Sequence, residues 1–226
     1  MAGMNGTRIQ VGAMMVSTGA NGPGRRLVLW MQGCPFRCRG CFNPEFHSLR
    51  GGRPMSVAGV IDAAADAGGI EGLTFSGGEP FLQADALARL AEEARSLGLG
   101  IVCYTGYCIE DIHAGRVRHG MELLSRVDML IDGLFVEEEQ APLAWRGSRN
   151  QRLHLLTGRY MQAAQDAEAR PHHETEVIIG PESLAVTGIF PMEFILRLRH
   201  RLGGVDRRGK GAERHGGMAG ESEAGA

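Results

Sequence analysis

The sequence predicts an α/β fold, an incomplete (βα) barrel of mostly parallel strands. Three observations predict it. Short apolar runs alternate with segments of helical period, the pattern of a parallel sheet covered by helices. Glycines, cysteines and isolated polar residues follow directly on the apolar runs, at 33–41, 77–79, 105–106 and 132–133, where parallel sheets and barrels place their sites. The runs are too few for a closed eight-fold barrel.

Each element has its own signal. Residues 8–14 alternate apolar and polar side chains and read as a first strand. Residues 26–32, Arg-Leu-Val-Leu-Trp-Met-Gln, form a stronger strand that ends at a cysteine loop. Pro35 and Gly40 argue against a continuous helix through that loop. Ser56 can cap a helix over 57–66, which Gly68 and Gly69 stop. Residues 72–76 read as a buried strand. Leu82, Ala86, Leu87, Leu90, Ala91, Ala94 and Leu97 then recur at helical spacing as far as Gly98. Strands are expected at 100–105 and 127–131, with the end of a helix at 121–126 between them. Two more are expected at 152–156 and 174–179. Pro191 suits the first turn of a last helix reaching about residue 202. Residues 1–202 are thus expected as one domain. Residues 203–226 carry hardly any large apolar side chain and are expected as a disordered tail, unable to offset the entropy of ordering.

Composition narrows the function classes. A chain of 226 residues supports one sizeable core. The net charge of −2 gives no electrostatic ground for nucleic acid or a membrane surface as a partner. No apolar run approaches the ~20 residues of a bilayer span, and residues 1–8 lack the apolar stretch of a secretory signal. A cytoplasmic location is expected, where thiols stay reduced and the five cysteines point to metal or catalysis over disulfides.

Three of the five cysteines, Cys34, Cys38 and Cys41, lie in Gly33-Cys-Pro-Phe-Arg-Cys-Arg-Gly-Cys-Phe-Asn-Pro44. Three thiolates on one short loop can hold three irons of a [4Fe-4S] cluster and leave the fourth iron without a protein ligand. That open position can bind a substrate or cofactor. A different reading of the same residues is a zinc site in which His47 completes a Cys3His set. The two remaining cysteines cannot supply a second cluster. Cys103 sits in an apolar run and is expected as a buried thiol, and Cys108 follows a glycine turn and is expected at the surface.

A second motif, Thr74-Phe-Ser-Gly-Gly-Glu-Pro80, follows one βα unit later. Gly77 and Gly78 let a ligand approach the backbone, or simply make a tight strand-to-helix turn. Glu79 adds a negative acceptor. Ser76, Gly77, Gly78 and Glu79 together suit a ligand ammonium.

The Cys-x3-Cys-x2-Cys spacing is the signature of radical S-adenosylmethionine enzymes. Within them the chain resembles the anaerobic ribonucleotide reductase activating proteins. The matching residues are the cysteine loop, Phe75-Ser-Gly-Gly-Glu-Pro80, Tyr104-Thr-Gly-Tyr107, Val127-Asp-Met-Leu-Ile-Asp-Gly133 and Arg146-Gly-Ser-Arg-Asn-Gln151. The resemblance implies that the open iron chelates S-adenosylmethionine through its methionine part. It further implies that reductive cleavage gives a 5′-deoxyadenosyl radical, and that the radical acts on a glycine of a large glycyl-radical enzyme. The wider superfamily usually carries an aromatic residue at the position of Gly40, to lie against adenine; here that contact falls to Phe42 or Phe36. The same cleavage machinery also serves stand-alone enzymes that modify a small metabolite or peptide, which keeps that reading open beside a non-catalytic zinc or iron–sulfur module.

Other candidates have more than one reading. Asp132 hydrogen-bonds the cofactor, holds a cation, or caps a turn before Gly133. Thr105 and Gly106 line an adenosine or form a plain loop. Arg146, Ser148, Asn150 and Gln151 recognise a partner or tie up their own loop. Arg37 and Arg39 raise the cluster potential, meet an acidic electron donor such as flavodoxin or ferredoxin, or simply face water. His172-His173 has no companion ligand nearby.

Overall fold

The computed structural model describes residues 8–169, 175–179, 184–190 and 192–201. The described residues up to 190 form one compact unit, and residues 192–201 belong to a second. The sheet of the first unit is built from β1 (Arg8–Thr18), β2 (Arg25–Met31), β3 (Arg53–Ser56), β4 (Gly72–Gly77), β5 (Gly100–Tyr104) and β6 (Met129–Asp132). A two-stranded hairpin follows, β7 (Gln140–Leu143) and β8 (Arg146–Ser148), and then β9 (Arg152–Leu155) returns to the sheet. A second hairpin joins β10 (Thr175–Ile179) and β11 (Leu184–Gly188). The helices are α1 (Val57–Ala67), α2 (Ala84–Ser96), α3 (Ile109–His113), α4 (Gly120–Leu124), α5 (Met161–Glu168) and, in the second unit, α6 (Met192–Arg201).

The seven strands run in the order β3-β1-β2-β4-β5-β6-β9. The central four, β2, β4, β5 and β6, are parallel, and the pairings of β1 and β9 with them are antiparallel. Central strands buried on both faces read as continuous apolar runs. Accordingly β6 is buried throughout and β2 at every position but its first. One face packs on α1 and α2 through Leu29, Phe75, Val60, Leu87 and Leu90. The other is covered lower down by Trp145, Tyr160, Ala164 and Ala167, which meet Val102, Met129 and Ile131.

The signals at α1 are realised atom by atom. The Ser56 hydroxyl accepts from the Gly59 N–H at 3.0 Å, and Gly68 ends the helix at φ 55°. The expected strands and long helices occur within a few residues of their predicted bounds. β3, α3, the β7–β8 hairpin, α5 and β11 are additions that the sequence pattern did not announce.

The fold also holds a buried cation that sequence reading passed over. Arg26, inside β2, is fully buried, and its guanidinium donates to Thr74 Oγ1, Tyr160 Oη and the carbonyls of Pro23, Leu73 and Gly100. Every N–H has an acceptor, which is what makes burial of the charge tolerable.

Among the described residues no helix is long and apolar enough to cross a membrane. The expected tail, 203–226, the boundary at 202, Pro191 and His172-His173 lie outside the described residues.

Candidate active site

The C-terminal ends of the four parallel strands meet around one cleft. β2 delivers the cysteine loop, β4 the Ser76–Glu79 turn, β5 Tyr104, Thr105 and Gly106, and β6 Gly133 and the segment after it. Cys34, Cys38, Cys41, Phe42, Ser76, Gly77, Gly78, Glu79 and Thr105 all line it. Asp132 alone of the predicted site residues is not among the lining residues.

The cysteine loop is held from both ends. Gly33 turns the chain out of β2 at φ 97°. Its N–H donates to Phe46 O at 2.9 Å, and the Cys34 N–H donates to His47 O at 3.2 Å. A short 3-10 turn, Pro44–Phe46, closes the loop. The Asn43 N–H points at Cys41 Sγ, 3.4 Å away. Burial pushes the Cys34 and Cys41 thiols above their ordinary value, against backbone N–H groups that act in the other direction.

The Gly-Gly turn is locked to this loop. The Gly78 N–H donates to Met31 O at 2.8 Å and the Glu79 N–H to Gly33 O at 2.7 Å. A Cβ on Gly77, at φ 94°, would lie 2.5 Å from Trp30 Cα, and one on Gly78 would collide with the Gly33 carbonyl. The backbone of β2 and of Gly33 just after it therefore accounts for both glycines, through close approach of chain to chain.

Glu79 is buried, with 1% exposure. Its Oε1 accepts from the Phe81 N–H at 2.9 Å and from Thr105 Oγ1 at 2.8 Å, and its Oε2 accepts from the Gly106 N–H at 2.8 Å. Burial raises its pKa to about 7, against these three donors, which lower it. With one donor on Oε2, that oxygen keeps an acceptor direction for a further group.

Asp132 is occupied on the far side of β6. Its Oδ1 accepts from Arg152 Nε at 3.0 Å and lies 3.1 Å from His154 Nε2, and its Oδ2 accepts from the Ile109 N–H at 2.7 Å. Burial pushes the carboxyl up, but Arg152, the Ile109 N–H and His154 outweigh it and hold it below the usual carboxylate range. Of its expected roles, the structure displays the one of fastening a turn, here the start of α3.

The polar run 146–151 likewise ties down its own loop. Gln151 Oε1 accepts from the Gly147 N–H at 2.8 Å while its Nε2 donates to Gly133 O at 3.0 Å, and Asn150 Nδ2 donates to Leu134 O at 2.7 Å. The anchored segment brings Phe135 against Phe42, ring centres 5.0 Å apart. Phe36 packs edge-on to Tyr107 at 4.8 Å, across Gly106. Arg39 is ion-paired with Glu137 at 2.9 Å and Glu138 at 3.1 Å. Arg37 is exposed. Cys103 is fully buried and Cys108 exposed.

Phe135 also lines the cleft and was not anticipated, while Asn43, Tyr104 and Gln151, which lie in the matching motifs, line it too. Phe135 and Gln151 arrive through the β7–β8 excursion, which leaves no periodic signal. His47 lines it too, with Nε2 buried and without a hydrogen-bond partner.

These donors fit an iron–sulfur cluster better than a single ion. A tetrahedral ion with 2.3 Å bonds to sulfur needs thiolates about 3.8 Å apart. Among the described residues, Cys34, Cys38, Cys41 and His47 are not gathered in threes within 4.8 Å of one another, whereas Asp85, His119 and Glu122 at the surface are.

The fold and the three-thiol cleft define an iron–sulfur protein, and the chain belongs to the 4Fe-4S single cluster domain family, whose model matches residues 20–154. Its relatives narrow the assignment. The chain is 33% identical to the anaerobic ribonucleoside-triphosphate reductase-activating protein of Salmonella typhi over 145 residues, 60% of this chain and 92% of the relative. The protein of the same name from Enterobacteria phage T4 is 35% identical over 139 residues, 59% and 85% of the two chains. That of Escherichia coli (strain K12) is 31% identical over 145 residues, 60% and 92%. The chain is a member of this family of activating proteins.

Proposed function

We propose that the chain activates an anaerobic ribonucleoside-triphosphate reductase, using a [4Fe-4S] cluster on Cys34, Cys38 and Cys41 and S-adenosylmethionine bound beside it. The observation that carries this reading is the cleft itself: a three-thiol wall and a Gly-Gly-Glu wall face each other and share backbone hydrogen bonds. When bound, cluster and cofactor together supply one electron to the sulfonium and a carbon radical that takes hydrogen from a glycine of the partner. The protein's part is orientation and exclusion of side reactions.

Each wall has its task. Three thiolates leave one metal corner for a ligand. Glu79 offers a buried carboxylate oxygen to the ligand's ammonium, with Ser76 and the Gly77-Gly78 backbone beside it. Phe42 or Phe36 lies ready for the adenine ring, and Thr105 and Gly106 for the adenosine. The segment from Gly133 to Gln151 contributes Gly133, Leu134, Phe135 and Gln151 to the wall of the cleft. We read the sheet as the incomplete barrel of radical S-adenosylmethionine type, because four neighbouring parallel strands all feed one end. Flavodoxin or ferredoxin is our choice of electron donor, with exposed Arg37 as a contact, and the cytoplasm our choice of compartment.

Anaerobic reconstitution with iron and sulfide, then S-adenosylmethionine and a strong reductant, tests the chemistry. 5′-Deoxyadenosine should form with the parent and not with Cys34→Ala. Adding the large reductase subunit should then produce an organic radical in electron paramagnetic resonance. Cluster-loaded parent that makes no 5′-deoxyadenosine refutes the reading.

A further inference from the structure

We infer that Tyr104 grips the backbone of the partner segment that carries the reacting glycine: its phenolic O–H donates to a carbonyl of that segment. The inference deepens the proposed function and rests on it. Three observations carry it. Tyr104 lines the cleft and is partly exposed. Its hydroxyl has no hydrogen-bond partner among the described residues, and it is not one of their sealed, unpaired polar atoms. Tyr104 also stands on the inner face of the sheet, turned away from α1 and α2. Phe75 and Cys103 pair across β4 and β5 and belong to the helix-covered core, so the next residues, Ser76 and Tyr104, point to the opposite side. There Tyr104 packs with the cluster of Val102, Met129 and Ile131.

Electrostatics agree with that placement. The buried Arg26 charge bears on the Tyr104 phenol, whereas Glu79 and Cys34 bear on Tyr107. The Tyr104 hydroxyl thus lies toward Arg26, on the floor of the sheet, and apart from the Cys34 and Glu79 walls. The chemistry of glycine supplies the rest. Glycine offers no side chain, so a site that positions it must hold amide groups of its segment. A carbonyl is the acceptor that every residue of a peptide presents, and a phenol can donate to it. Burial raises the pKa of Tyr104 against the opposing charge of Arg26, so the phenol keeps its proton and remains a donor near neutral pH.

The test follows glycyl-radical formation by electron paramagnetic resonance with reconstituted parent and Tyr104→Phe, at varied concentrations of the large reductase subunit. Loss of one hydrogen bond should raise the apparent KM for that subunit about three- to tenfold. Calorimetry of the loaded protein with the subunit gives a reading independent of turnover, and the affinity should weaken by a similar factor. Affinity for S-adenosylmethionine should stay within about threefold. The urea midpoint of the apo variant should match the parent, because the hydroxyl bonds nothing in the protein. Unchanged KM and subunit affinity overturn the inference. So does a tenfold loss of S-adenosylmethionine affinity, which would make the phenol a cofactor contact, or a lowered urea midpoint, which would make it structural. Failure of the underlying reading looks different, because the parent itself would then form no glycyl radical.

Discussion

Glu79 and Gly33 are joined backbone to backbone, the N–H of the first donating to the carbonyl of the second at 2.7 Å. Gly33 immediately precedes the first cysteine and Glu79 ends the Gly-Gly turn, so the two motifs form one piece of backbone. The register of β2 on β4, with Met31 opposite Gly77, sets this up. Any ligand held between the walls meets a preorganised frame and does not have to draw it together.

Gly78 is the point at which this frame is most easily broken. A side chain there collides with the Gly33 carbonyl, which is backbone and cannot rotate away. Gly78→Ala should lower the stability of the apo chain by roughly 2–4 kcal/mol in urea unfolding, from backbone displacement and overpacking. It should also load less cluster than the parent, because the loop shifts with Gly33. A change below about 0.5 kcal/mol, the range of ordinary surface substitutions, would mean that the two walls are not coupled as described.

The three loop cysteines should behave as a set and the other two should not. Cys34→Ala, Cys38→Ala and Cys41→Ala are each expected to lose most of the reconstituted iron and its visible absorbance. Cys108→Ala should keep both, since Cys108 lies exposed outside the cleft. Iron and sulfide analysis decides it. Full iron in any one of the three loop variants would remove that residue from the ligand set.

How much of this was legible beforehand depended on the kind of signal. Ser56 and Gly68 announce α1 because capping is local chemistry, and β2 and β5 announce themselves through apolar runs, while β4 is a shorter apolar stretch broken by Thr74. The cysteines and Gly77-Gly78-Glu79 were legible because their residue types carry the chemistry. For Asp132 the turn-fastening role was one of the readings, but its position after a strand says nothing of Arg152 and His154, which arrive from β9 in antiparallel register. Phe135 was hidden for a related reason. It lies on the segment between β6 and the β7–β8 hairpin, which Gln151 and Asn150 hold through the carbonyls of Gly133 and Leu134, and such closure has no periodicity to read.

Asp132 and Arg152 should separate stability from binding. Asp132 is fully buried and carries the guanidinium contact, the Ile109 N–H and His154. The Arg152 side chain is 44% exposed and keeps Glu110, but the Ile109 N–H loses its acceptor, and a buried donor left unpaired costs about 1–3 kcal/mol, so Asp132→Ala should unfold at lower urea. At concentrations where the variant is still folded, S-adenosylmethionine affinity measured by calorimetry on cluster-loaded protein should stay within about threefold, under 1 kcal/mol. A tenfold loss of affinity in stably folded Asp132→Asn would return this residue to the ligand site.

The pH dependence of ligand binding should run through Glu79. Burial raises its pKa from 4.5 to about 7. Between those two values the folded chain holds a proton that the unfolded chain has already released. The contribution to stability is therefore most favourable at the acid end and falls as pH climbs through this interval, by roughly 3 kcal/mol in all for a shift of this size. Urea unfolding of the apo parent from pH 5 to 8 should fall more steeply than that of Glu79→Gln. A cationic ligand reverses the balance, because an ammonium beside the carboxylate stabilises its charged form. S-adenosylmethionine should bind the loaded parent more tightly as pH rises from 6 to 8, and Glu79→Gln should bind weakly with a flatter profile. Equal pH slopes in parent and Glu79→Gln, both for unfolding and for binding, would show that the buried carboxyl does not titrate in this range and does not face the ligand's ammonium.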